Sequence, residues 1–300
     1  MIAKMIQPGW PTAAVSAIAT VAMVGMLLAQ WRTLRETTLL PAWCWAVAAI
    51  LAVGGGQVAI HSLSPSASHA NLAPWQLATA ALTFCPLLAV LGAMRPQHYY
   101  WNFIVMSAWA ILALPAAETF LINRGQPLEI SAARAWFLWI MILLGPVNFA
   151  ATRFGLSAIC LALGQVVLLS NYLPLIQRPM TGSPELVGLG IILLAIGLAM
   201  VAARKERTMA NPYDGVWLSF RDTFGMLWGL RFAERVNAAA AQYGWEFTLA
   251  WSGFRSAASG ASLSEISPDI EPALRATLVG LLRRFVSAEW IAARIGTDKR

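Results

Sequence analysis

Charge is what this sequence has least of. Asp, Glu, Lys and Arg make up 12% of the chain and apolar residues 58%, against about 25% and 45–50% in soluble domains. That shortage excludes an ordinary water-soluble fold and points to an integral membrane protein. Cysteine is scarce too. Cys44, Cys85 and Cys160 all fall in apolar runs, with no CxxC or Cys–His spacing, which speaks against a zinc site or thiol redox pair and leaves three small buried hydrophobes. The three histidines, His61, His69 and His98, offer no pair at one depth within the apolar runs, as a bis-histidine haem between two helices would need. No P-loop, GxSxG or HExxH sequence occurs. No apolar run carries the spaced arginines of a voltage sensor, and Leu186–Ala203 has no lysine for a retinal Schiff base. No cofactor or metal is expected, and no spacing of residues demands catalysis.

The net charge of +7 is not a nucleic-acid signature. Residues 1–203 hold eight of the 21 Lys and Arg and four of the 14 Asp and Glu, so both parts of the chain are mildly basic. Much of the excess sits at the ends of apolar runs, where lipid headgroups and the positive-inside bias account for it.

What the sequence does have is long apolar runs. The chain is organised around Leu186–Ala203, an uninterrupted run backed by Arg204, Lys205 and Arg207, about the length that crosses a hydrocarbon core as helix. A window of ~19 residues gives seven candidate spans: Thr12–Trp31, Ala42–Ile60, Trp75–Met94, Trp101–Ile122, Ala135–Thr152, Phe154–Leu173 and Leu186–Ala203. The first is too long for a cleaved signal and is expected to be retained. Short connections predict antiparallel neighbours in one all-α bundle, a transmembrane domain over residues 1–203. Trp10, Trp31, Trp43, Trp75, Tyr99, Tyr100, Trp101 and Tyr172 stand near span ends, as an interfacial aromatic belt requires. With the N-terminus outside, Arg32, Arg35, Arg95, Arg153, Arg204, Lys205 and Arg207 fall inside, and Lys4, Arg124, Arg134 and Arg178 outside. The positive-inside rule then sets a multi-pass protein in the plasma (inner) membrane with a cytoplasmic C-terminus.

After Thr208 the composition changes, and residues 204–300 are expected to form a cytoplasmic α+β domain. Asn211-Pro212-Tyr213-Asp214 is a helix-start signal, with Asp214 the expected N-cap of a helix over Val216–Tyr243 and Gly244 its C-cap. Trp217, Phe220, Phe224, Leu227 and Trp228 repeat at helical spacing, so this helix packs into the small domain or lies along the membrane surface. Trp245–Trp251 alternates large apolar residues with period two and predicts a strand. Its partner is a second strand near Gly253–Leu263 or another copy of the chain. Pro268 and Pro272 open a last helix with Leu274, Leu278, Leu281, Leu282 and Phe285 on one face.

Candidate functional residues fall into three groups. Glu118, three residues after Pro115 in the outer third of its span, is an ionisable group near membrane depth beside a helix-bending proline. It pairs with Arg124 or Arg134, or serves an ion or proton pathway. With His61 these residues make an outer polar pocket if they converge. Gly145, Pro146 and Asn148 are expected to interrupt the fifth span, with Asn148 bonding freed carbonyls or a neighbouring helix. Trp217, Phe224, Trp228, Trp245 and Trp251 are candidate contacts for a protein partner, for self-association or for the membrane surface. Gly54, Gly55, Gly56, Gly188, Gly190 and Gly197 serve close helix packing. Three functions follow in order: a non-catalytic scaffold or assembly subunit of a membrane complex, a small-molecule or ion permease using Glu118, and a membrane-embedded enzyme acting on lipid. The bilayer is the expected surrounding.

Overall fold

A computed structural model of the chain describes residues 10–63, 69–95, 97–122, 126–176, 183–205 and 211–295. Helix dominates because apolar runs without water must satisfy their backbone groups internally. The helices of the bundle are α1 (Trp10–Ala29), the short α2 (Trp31–Leu34), α3 (Leu40–Leu63), α4 (His69–Ala81), α5 (Cys85–Leu91), α6 (His98–Leu121), α7 (Ala132–Phe149), α8 (Gly155–Leu168) and α9 (Pro184–Arg204). Among the described residues six helical stretches are long and apolar enough to cross a membrane, with α4 and α5 joined end to end as one of them. Large apolar side chains such as Val21, Phe103, Ile140 and Val201 face outward, as a hydrocarbon solvent permits and water does not.

Two expectations change in the bundle. The sixth expected span, Phe154–Leu173, is the 14-residue α8 followed by a 3₁₀ turn at Ser170–Tyr172. At a rise of ~1.5 Å per residue α8 covers about 21 Å, short of a hydrocarbon core. Pro174 and the positive φ of Leu175 keep the helix from resuming. Conversely, α6 and α7 continue as helix through Pro115 and Pro146, so the interruption expected at Gly145–Asn148 of the fifth span does not occur. The break occurs instead between α4 and α5, where Pro86 lacks the N–H that would continue the ladder and Leu82–Phe84 tightens to 3₁₀. The buried Gln165 of α8 donates to the freed Thr83 carbonyl at 3.1 Å.

Small residues set the close packing. A Cβ at Gly54 would overlap the Thr20 side chain of α1, and one at Gly188 would come within 2.7 Å of Leu168 on α8. Gly190 and Gly197 have open space instead.

The C-terminal segment comprises α10 (Pro212–Tyr243), β1 (Phe247–Ala250), β2 (Gly253–Ser256), α11 (Glu271–Leu282) and α12 (Ala288–Ile295). Asn211, not Asp214, caps α10. Its side chain accepts the Asp214 N–H at 2.9 Å, because Pro212 occupies the first helical position and the cap is the residue before it. Gly244 closes the helix in the left-handed region, as its sequence position predicts. The two strands form an antiparallel hairpin with Leu249 opposite Phe254, the second strand falling where the sequence places a partner.

Trp217, Phe220, Phe224, Trp228 and Phe232 of α10 form one aromatic core with Phe254, Leu274, Leu278, Phe285 and Trp290. That core continues without a gap into Leu39, Ala42, Cys85, Ala89, Val90 and Ala93 of the bundle. Backbone bonds stitch the same seam: Thr38 N–H to the Phe285 carbonyl, Ser287 N–H to Glu36 and Arg95 N–H to Arg284, at 2.7–2.8 Å. The connections α2–α3, α5–α6 and α7–α8 thus gather at one end of the bundle, with the C-terminal segment seated on them.

Candidate functional site

At this junction end the decisive feature is a break in α10. Gly225 adopts φ 80° and ψ −172°, which divides α10 into two helices. Only glycine reaches that conformation without strain. A Cβ there would also collide with the Asn148 side chain of α7. The N-terminus of the second half needs a cap, and Asn148 Oδ1 supplies it by accepting the Leu227 N–H at 3.0 Å. Asn148 therefore bonds a neighbouring helix, one of the two roles its sequence position suggests, but across the junction rather than within the bundle.

Beside this cap lies a buried charge cluster. Asp222 is 1% exposed and Arg221 6%. Asp222 Oδ1 accepts from Arg221 Nε and Nη2 at 3.1 and 2.7 Å, while Arg153, from the α7–α8 turn, approaches Oδ2 at 3.4 Å. Arg221 Nη1 also donates to the Trp251 carbonyl at 2.7 Å, and the Trp251 indole donates to the Ala151 carbonyl at 2.9 Å. Trp228 does the same to Val90 at the end of α5. One carboxylate thus serves two guanidiniums from opposite sides of the seam. Chemically the cluster joins two parts.

The aromatic residues named as candidate contacts are placed by the same geometry. Trp217, Phe224, Trp228 and Trp245 are buried, and Trp251 stacks against Trp217 edge-on at 6.1 Å. They fill the chain's own interior. Both edges of the hairpin are also covered. Asn237 of α10 accepts the Leu249 N–H at 2.6 Å and donates to the Leu249 carbonyl at 3.1 Å, and the 261–263 segment bonds along β2 through Ser256, Phe254 and Leu263.

The opposite, far end holds the other sequence-derived candidates. Glu118 meets Arg134 at 3.6 Å, each side chain about two-fifths exposed (41% and 37%). Pro115, Glu118, Thr119 and Glu129 line a shallow polar cavity of about 240 Å³. His61 ends α3, half-buried, with no bond to this pair among the described residues. Arg124 lies outside the described residues. No group of three or more His, Cys, Asp or Glu converges among the described residues.

A second cavity, of about 410 Å³, opens between α3 and α4 in the half of the bundle nearer the far end. Its lining includes Ala52, Gly56, Ile60, Leu72 and Trp75, with the polar Gln57, Gln76 and Thr79. Gln76 donates to Glu185 at the start of α9 at 2.7 Å. Sequence reasoning passed over Gln57, Gln76 and Gln165; the available signal was an amide standing inside or at the edge of an apolar run, which is expensive there unless paired. Comparison with protein-family models, with characterised proteins and with solved structures finds no match, so the functional reading rests on these residues alone.

Proposed function

We propose that the chain is a non-catalytic scaffold or assembly subunit of a membrane complex, its C-terminal segment held in fixed orientation at the cytoplasmic face of its own bundle. The observation that carries this is the junction itself: the Asn148 cap on the broken α10, the Arg153–Asp222–Arg221 cluster and the shared aromatic core. Such a seam fixes orientation, which a scaffold needs and a tethered regulatory domain does not. The face left open on α10 carries Leu230, Arg231, Glu234 and Arg235, a mixed charged surface suited to a protein partner.

The topology proposed is seven crossings, with α8 and the turn after it making the sixth. Its support is that α8 begins near the Ala151 carbonyl at the junction, whereas Tyr172 already bonds the Ala73 carbonyl near the start of α4 at 2.8 Å. Arg32, Arg35, Arg95 and Arg153 belong to the junction end, which supports an N-terminus outside and a cytoplasmic C-terminus in an inner membrane. In this reading residues 1–203 are the transmembrane domain and 204–300 the cytoplasmic one.

The permease alternative depends on Glu118 acting at membrane depth, and its half-exposed pairing with Arg134 favours a surface role. Glu118→Gln is expected to change stability by less than about 1 kcal/mol and to leave solute flux into liposomes unaltered; abolished flux in a folded variant would move the assignment to a permease. The lipid-acting enzyme has the least support, since His61 makes no bond to Glu118 or Arg134 among the described residues.

The scaffold is tested by native mass spectrometry of the protein extracted in mild detergent from its own membrane. A stoichiometric protein partner, released by the double substitution Arg231→Glu and Arg235→Glu, is expected. A chain that flies alone under conditions preserving other complexes of that membrane overturns the reading.

A further inference from the structure

We infer that the cavity between α3 and α4 is a binding site for a neutral lipid, a molecule with a hydrocarbon body and an uncharged carbonyl or hydroxyl head. The inference stands independently of the scaffold role. Its starting point is Gln57. This residue is 6% exposed, lines the cavity and has no hydrogen-bond partner among the described residues. Among the described residues each of the other buried side-chain amides makes at least one hydrogen bond: Gln165 Nε2 with Thr83, Asn148 with Leu227, Asn211 with Asp214. A primary amide both donates and accepts, and leaving it unpaired in an apolar setting costs several kcal/mol. A ligand presenting a carbonyl or hydroxyl answers that demand.

The rest of the lining selects the ligand's class. Ala52, Gly56, Ala59, Ile60, Leu72 and Trp75 supply an apolar wall, and about 410 Å³ falls within the usual range of small-molecule sites. Among the described residues no Lys or Arg lines the cavity, and its Gln76 is bound to the Glu185 carboxylate. A phosphate or free carboxylate would therefore find no cation and a nearby negative charge, so phospholipid heads and fatty acids are disfavoured. The cavity lies between α3 and the joined α4–α5 stretch, both long and apolar enough to cross a membrane, which gives a lipid a route in from the side. A diacylglycerol and an isoprenoid quinone share the required chemistry.

The test uses the full chain in phosphatidylcholine nanodiscs. The probe is a diacylglycerol carrying a diazirine in one acyl chain, photolysed and mapped by peptide mass spectrometry. Unlabelled dioleoylglycerol and an isoprenoid benzoquinone serve as competitors. Adducts concentrated on residues 52–60 and 72–79 are expected, and whichever competitor removes them identifies the source. Gln57→Leu is expected to weaken competition about tenfold, the equivalent of one hydrogen bond. Gly56→Leu is expected to abolish the adducts by filling the space. Its backbone tolerates the change, since a Cβ there meets nothing closer than Thr79 Cγ2 at 4.0 Å. Gln57→Leu is also expected to melt higher than wild type in lipid-free detergent, because no amide is then left unpaired. Adducts spread evenly over the exposed apolar surface, labelling that both variants leave unchanged, or a Gln57→Leu protein that melts lower without lipid would each overturn the assignment.

Discussion

At the scale of single residues, Gly225 and Asn148 depend on each other. Gly225→Ala is expected to lose about 2–4 kcal/mol, from strain at positive φ and from overlap with Asn148. Asn148→Ala alone removes a cap worth about 1 kcal/mol. The double variant should lose less than the sum, because removing the amide relieves the overlap; detergent melts of the four proteins measure the coupling. Asp214 offers a second test. It is buried and accepts the Phe254 N–H at 2.7 Å. Burial pushes its carboxyl above the usual range, with that N–H and the Arg255 charge opposing. A raised carboxyl means that the folded state favours the protonated form. Its stabilisation is therefore complete below the ordinary carboxylate range and is lost as pH rises through the raised value. Melting wild type and Asp214→Asn side by side across that range should show wild type losing ground as pH increases; parallel profiles would contradict the placement.

At the scale of elements, the hairpin shows how a short sheet avoids open edges. Trp245–Trp251 announced a strand by its alternation, and the need for a partner followed from the instability of one strand alone. Which partner, and what covers the outer edge, depended on Asn237, a residue whose helical position carries no strand signal. Asn237→Leu removes both bonds to Leu249. It is expected to cost about 1–2 kcal/mol and to raise self-association, since an uncovered edge invites another strand. Light scattering after size exclusion reads the second effect. The same limit applies to α8. Its apolar composition extends over twenty residues, but the helix stops early where Pro174 and the turn before it redirect the chain.

At the scale of the whole molecule, the bundle and the C-terminal segment share one core. Composition separates them sharply after Thr208, which is why a sequence reading draws a domain boundary there. Leu39, Ala42, Ala89 and Val90 nevertheless pack against Phe224, Trp228 and Phe285 as one cluster. A chain ending at residue 205 is therefore expected to expose that surface, leave Arg153 without its Asp222 partner and fail to remain monodisperse in detergent. A stable, monodisperse truncation would show the two parts to be independent.

The sequence by itself determined the membrane character, six of the apolar helices, the Gly244 cap and the period-two strand. Each of these is a local consequence of composition or periodicity, readable within a window of neighbours. It also pointed to Glu118 and Asn148, because polar groups in apolar runs stand out. Only the tertiary structure decided what those groups meet: Arg134 on an exposed rim for Glu118, and the broken α10, 79 positions away along the chain, for Asn148. It likewise turned the aromatic residues of α10 inward and left Gln57 facing a cavity. The physical reason is common to all of these. Burial and hydrogen bonding depend on which surfaces come together, and contacts between residues far apart in the chain leave no periodic trace in it.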